Sequence, residues 1–138
     1  MTTPRLTITL PWPVPELSPN YHGPMRPKWA AQQAAKSDGY LSTLEGLQLA
    51  EADRYDYAGG ALTVAVTFHP PNKRKRDRDN AQASLKHQFD GVAQALGVND
   101  AVFEPSYKWG EVRRGGAVVL VIERQPLSAG LQAALVAG

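Results

Sequence analysis

The chain has 138 residues, 43% of them hydrophobic and 20% charged, with no cysteine and a formal net charge of +2. That length fits one domain with a core of its own, since a chain of this size buries about two-thirds of its unfolded surface. Zero cysteine excludes disulfides, thiolate zinc sites, iron–sulfur clusters and a cysteine nucleophile. No apolar run approaches the roughly 18 residues needed to span a bilayer, and Met1 to Pro11 lacks the charged-then-apolar pattern of a signal peptide, so a cytoplasmic protein without membrane contact is expected.

Arg5 to Leu10 alternates, with Leu6, Ile8 and Leu10 on one side and Thr7 and Thr9 on the other, the period of a half-buried strand. Pro11, Pro13, Pro15, Pro19, Pro24 and Pro27 follow, and because proline donates nothing to a helix or sheet ladder this stretch reads as a loop. From Lys28 to about Arg54 the chain is rich in Ala, Gln, Leu and Glu, which predicts one helix with a break near Ser37-Asp38-Gly39. Leu62, Val64, Val66 and Phe68 alternate with Thr63, Ala65 and Thr67 and predict a second strand, ended by Pro70-Pro71. A helix then starts at Asp79 as cap, carries Leu85, Phe89, Val92 and Leu96 on one face and stops at Gly97. Pro105 to Val112 and Ala117 to Glu123 flank Arg113-Arg114-Gly115-Gly116, a pattern that predicts an antiparallel hairpin. The tail beyond Leu127 is weakly helical. These elements make a single α+β domain over residues 1–138, with a mixed sheet, helices packed on it, a core at about 5–124 and a C-terminal tail at 125–138. Neither a P-loop nor a dinucleotide glycine pattern is present, so no nucleotide cofactor is expected.

The charge is concentrated. Lys73-Arg74-Lys75-Arg76-Asp77-Arg78-Asp79 has five basic and two acidic residues, a net +3, which leaves the rest of the chain at −1. The segment joins a strand to a helix start, where backbone N–H groups point outward and suit a phosphate. A plain electrostatic clamp for DNA gains nothing from carboxylates beside the phosphates. Asp77 and Asp79 therefore point to a hard divalent cation between protein and phosphate, and Mg²⁺ takes one or two carboxylates with water and substrate oxygens. Asp100, in the loop after Gly97, is the best third ligand if the chain turns back toward that pair. Lys86, seven residues after Asp79, shares its face on a continuous helix. Asp90 is about 16 Å further along the axis than Asp79 and pairs with Lys86 or supports the ligands from behind. The bland alternative for Asp77 and Asp79 is local charge compensation on a solvated loop.

Arg76-Asp77-Arg78-Asp79-Asn80, then Lys86, Phe89-Asp90-Gly91 and Asn99-Asp100-Ala101, resemble the RusA family of Holliday junction resolvases, and Leu10-Pro11-Trp12-Pro13 and Asn20 resemble its N-terminal strand and loop. The likeness runs from about Leu6 to Glu123. It implies a RusA-like fold acting as a two-fold homodimer, phage- or prophage-encoded, in the cytoplasm of a bacterial or phage-infected cell. The implied activity is a Mg²⁺-dependent endodeoxyribonuclease, with Mn²⁺ as a substitute, that resolves four-way DNA junctions by paired nicks in recombination and repair. Carried onto this chain, the family's essential carboxylates fall on Asp77, Asp79 and Asp100 and its catalytic lysine on Lys86. In the family the lysine comes one helical turn after the second aspartate, where this chain has Ala83. Lys73, Arg74, Lys75, Arg76 and Arg78 would hold flanking phosphates. Two other readings use the same residues: a non-catalytic module binding branched DNA, and a nuclease preferring flaps or forks.

Overall fold

A computed structural model describes residues 4–125. Within them lie four strands, β1 (Leu6–Leu10), β2 (Leu62–His69), β3 (Phe103–Trp109) and β4 (Ala117–Arg124), and three α-helices, α1 (Met25–Leu49), α2 (Arg78–Ala83) and α3 (Lys86–Leu96). The strands form one mixed sheet in the order β1-β4-β2-β3, with β4 antiparallel to both of its neighbours and β3 parallel to β2. The expected α+β domain with a mixed sheet is therefore present. The tail beyond residue 125 lies outside the described residues. No helix among the described residues is long and apolar enough to cross a membrane.

The alternation read along β1, β2 and β4 is what buries the sheet's inner face. Leu6, Ile8 and Leu10 align with Ile122, Leu120 and Val118, and these in turn with Val64, Val66 and Phe68. All nine are 1% exposed or less. Leu47 of α1, Leu85, and Val92 and Leu96 of α3 close over them. The outward residues Thr7, Thr9 and Ala65 are exposed, as a sheet covered on one side requires.

Four expectations need correction. First, α1 begins three residues earlier than expected and runs through Gly39 unbroken. Pro27 falls in its first turn, where the missing N–H has no partner to lose. Second, the chain leaves α1 at Leu49 rather than Arg54, by way of Glu51 at φ 53°. Asp53 and Asp56 then cap a short 3₁₀ turn over Arg54–Tyr57, from which buried Tyr57 donates its hydroxyl to the Pro4 carbonyl at 2.8 Å. Third, the helix expected from Asp79 is two helices separated at Ser84-Leu85, and its cap is Asp77, whose Oδ1 accepts from the Asp79 N–H at 2.8 Å. Its expected stop holds, because Gly97 caps α3 in the left-handed region at φ 70°.

The fourth correction concerns the hairpin. Gly115 and Gly116 do adopt positive φ, and the Gly116 N–H donates to the Arg113 carbonyl at 2.8 Å. The strands they connect, however, do not pair: β2 lies between β3 and β4. Alternation and a glycine turn specify two strands and a reversal but not which strand each one pairs with.

Gly39 and Gly91 explain why α1 tolerates glycine mid-helix. A Cβ at Gly39 would overlap the Gln88 carbonyl, and one at Gly91 would overlap the Lys36 carbonyl. The two helices cross backbone against backbone. Ala is about 1 kcal/mol better than Gly in an exposed helix, but here Gly39→Ala and Gly91→Ala should each destabilise by at least about 1–3 kcal/mol through overpacking. Urea unfolding of the two variants checks this, and a neutral or stabilising result would contradict the close crossing.

Candidate functional site

β2 ends at His69, and Pro70-Pro71 withdraws the chain from the ladder. The loop that follows is held by its own polar groups. The Arg76 guanidinium donates to the carbonyls of Asn72 (3.1 Å) and Arg74 (2.7 Å) and to the Asn72 Oδ1 (2.8 Å). The Arg74 N–H also donates to that Oδ1, at 3.0 Å. Arg76 lies over the Trp12 ring at 5.4 Å, and Trp12 stands edge-on to Phe68 with ring centroids 6.1 Å apart. Arg76 thus ties the loop to the core. Lys73, Arg74, Lys75 and Arg78 are left exposed, with no ion pair among the described residues.

Asp77 and Asp79 occupy the start of α2, where carboxylates are favoured by the free N–H groups. Asp77 uses Oδ1 as the cap, which leaves Oδ2 free of any hydrogen bond among the described residues. Both carboxylates are exposed, and neither pairs with the cations around it. Local charge compensation would have paired them. Asp77 faces a groove of about 460 Å³ that Trp12, Arg74, Lys75 and Arg76 also line.

Asp100 is elsewhere. It opens a 3₁₀ turn capped by Asn99, whose Oδ1 accepts from the Ala101 N–H at 2.9 Å, and it is exposed. The register Leu62↔Phe103 places that turn at the starting end of β2, whereas the Asp77 loop leaves the finishing end at His69. Eight strand residues at about 3.3 Å each separate the two ends by roughly 25 Å. Asp100 therefore does not approach Asp77 and Asp79 within one chain. Among the described residues no group of three or more His, Asp or Glu is arranged to hold a metal. The expectation that the chain turns back to the pair assumed a β3–β4 hairpin; the parallel crossover carries it away instead.

Asp100 shares a groove of about 330 Å³ with Lys36, Asp90 and Gln94. Asp90 Oδ2 is 3.8 Å from both Lys86 Nζ and His87 Nδ1, so the expected Lys86–Asp90 pair is present, loose and solvent-facing. Burial and then the neighbouring Lys86 charge hold the His87 imidazole below its usual pKa, with Asp90 opposing them. The break at Ser84-Leu85 also means that Lys86 starts a new helix and does not simply stack below Asp79.

Two features of this region were not picked out from the sequence. Gln88 is 1% exposed, and its Nε2 donates to the Pro11 carbonyl at 3.1 Å while its Oε1 has no partner. Beside it, Trp12 and a row of α1 alanines line a cavity of about 340 Å³. The available signal was position: Gln88 falls three residues after Leu85 and four before Val92, on the buried stripe of α3.

The donor set suits a hard cation such as Mg²⁺, because Asp77 Oδ2 and the carboxylates of Asp79 and Asp100 are oxygen ligands with no ion pair among the described residues. Capping and ligation can be separated. Asp77→Ala should cost about 0.5–2 kcal/mol of stability through the lost cap, Asp77→Asn much less, and Asp79→Asn almost nothing. Thermal melts of the three variants check this ordering.

No family model matches the chain. It is 34% identical over 126 residues to an uncharacterized protein of Xylella fastidiosa (strain Temecula1 / ATCC 700964), and the match covers 84% of this chain and 74% of that protein.

Proposed function

The chain belongs to the family of that Xylella fastidiosa protein, and we propose that it is a RusA-type, Mg²⁺-dependent endodeoxyribonuclease that resolves four-way DNA junctions as a homodimer. The observation that carries this reading is the pair Asp77 and Asp79. They are exposed and free of ion pairs at a helix start, although Lys73, Arg74, Lys75 and Arg78 surround them. A loop built only to grip phosphate gains nothing from carboxylates in that position.

Asp77 and Asp79 would hold the ion from one protomer. Asp100, at the far end of the sheet in its own chain, completes the set only from a second copy, so on this reading the homodimer is a condition of catalysis. When bound, the ion supplies Lewis-acid polarisation of a phosphate oxygen and a water nucleophile active at neutral pH. Lys73, Arg74, Lys75 and Arg78 hold the phosphates that flank the scissile one, so binding weakens steeply with salt. Lys86, 71% exposed on its side chain and only loosely paired, is free to swing toward charge that develops on the phosphate. A two-fold dimer carries two such sites, matching the near two-fold symmetry of a four-way junction.

The direct test is nicking of a labelled four-way junction with Mg²⁺ or EDTA, beside flap, fork and linear duplex of matching sequence. Paired symmetric nicks are expected on the junction, lost in EDTA and reduced at least about a hundredfold in Asp79→Asn, whose junction binding is retained. Preferential cutting of flaps or forks would replace the resolvase with another branch nuclease. The separation of Asp100 from Asp77 favours one further reading, a non-catalytic module, which predicts junction binding without metal-dependent cleavage.

Shared sites make a second test. Asp79→Asn and Asp100→Asn should each be inactive alone, and mixing them should restore nicking, because one of the two sites in each mixed dimer combines an intact Asp79 with an intact Asp100. No recovery after verified subunit exchange would show that Asp100 does not act across the dimer.

A further inference from the structure

Gln88 lies on the inner face of α3, 1% exposed, with one half of its amide satisfied and the other half not. Its orientation is dictated by its neighbour, since only the amide nitrogen can face the Pro11 carbonyl at 3.1 Å. The unpartnered atom is therefore the oxygen, an acceptor in want of a donor. Leaving such an atom bare inside a protein costs about 1–3 kcal/mol, and bare buried polar atoms are correspondingly rare.

The cavity that Gln88 lines fits a ligand that would use that acceptor. At about 340 Å³ it lies at the small end of ligand pockets. Its walls are apolar, made by Trp12, Pro13, Val14 and Leu17 on one side and by Ala31 and Ala34 of α1 on the other. Trp12, Pro13 and Val14 also wall the groove that holds Arg74, Lys75, Arg76 and Asp77. One indole thus separates a flat apolar slot from a cationic groove, a division that matches a nucleotide: the base on one side and its phosphate on the other.

We propose that the Trp12–Gln88 cavity is a base-reading subsite that takes one unstacked nucleobase carrying an exocyclic amino group, from a strand whose phosphates lie on the Arg74–Arg78 loop. The amino group donates to Gln88 Oε1. Cytosine and adenine offer an amino N–H on the edge where thymine offers a carbonyl oxygen, which would face Oε1 lone pair to lone pair. Trp12 supplies the apolar wall along which the ring slides, and Arg76 above the indole keeps that wall in place. The inference rests on the DNA-binding part of the proposed function and gives it a sequence preference that phosphate contacts alone do not.

The test measures binding in EDTA, so no cleavage is needed. Fluorescence anisotropy compares short labelled strands of oligodeoxycytidylate and oligothymidylate, which share ring size and backbone and differ in the amino-to-carbonyl exchange. The wild-type chain should bind oligodeoxycytidylate about tenfold more tightly. Gln88→Met, which removes the acceptor, should bind the two strands equally. Ala34→Phe, which fills the slot from an exposed helix position, should do the same without touching Gln88. Equal binding of both strands by the wild-type chain would overturn the subsite while leaving the nicking test untouched. A tenfold preference that survives both substitutions would overturn it as well. Failure to bind any strand would remove the DNA-binding premise and the subsite with it.

Discussion

β2 and β3 run parallel, and a parallel pair cannot be closed by a tight turn. The chain must travel from the finishing end of one strand back to the starting end of the other, and α2 and α3 are that journey. Much else depends on it. The crossover lays α3 over the sheet, where Val92 and Leu96 seal the core, and brings it against α1 at Gly39 and Gly91. It also fixes which residues can meet. Groups leaving β2 gather at one end of the sheet, and groups entering β3 gather at the other. Asp77 and Asp79 belong to the first set and Asp100 to the second.

That one constraint separates what was legible in the sequence from what was not. β1, β2 and β4 declare themselves because their buried and exposed residues alternate, and the inward Leu, Ile, Val and Phe are large enough to make the period plain. Gly97 declares itself because only a residue at ease with positive φ ends a helix that way. The partner of β3 is invisible, since alternation states that a segment is extended and is silent about its neighbour. From that gap came both the mistaken hairpin and the expectation that Asp100 returns to the aspartate pair. The break after Ala83 was hidden for a similar reason, because the spacing of Leu85, Phe89, Val92 and Leu96 is satisfied by α3 with or without α2.

α1 was harder to read because its buried side is made of small residues. Ala35, Gly39, Thr43 and Gly46 face inward, while Trp29, Leu41, Leu44 and Leu49 are exposed. A hydrophobicity scale sees this nearly in reverse. The physical cause is proximity: Gly39 admits the backbone of α3, and Gly46 lies beneath the Thr7 carbonyl of β1. Where two backbones approach that closely the buried residue must be small, and small residues carry little hydrophobic signal. The glycines that suggested a broken helix are the reason an unbroken one can pack there.

The candidate site shows the complementary behaviour. Its charge was fully legible, since five cations and two carboxylates in seven residues need no structure to be noticed. Their division of labour was not. Arg76 turns inward to hold Asn72 and cover Trp12, Asp77 spends one oxygen on the α2 cap, and the remaining cations and Asp79 stay unpaired. Trp12 links this surface to the interior, touching Phe68 in the core, Arg76 in the loop and the cavity that Gln88 lines. A loop anchored through one indole to the first side chains of the sheet can be rigid where it meets the fold and open where it meets solvent. Such an anchor keeps two carboxylates and four cations in place without pairing them with one another, which is the arrangement that leaves them available to a phosphate and its counter-ion.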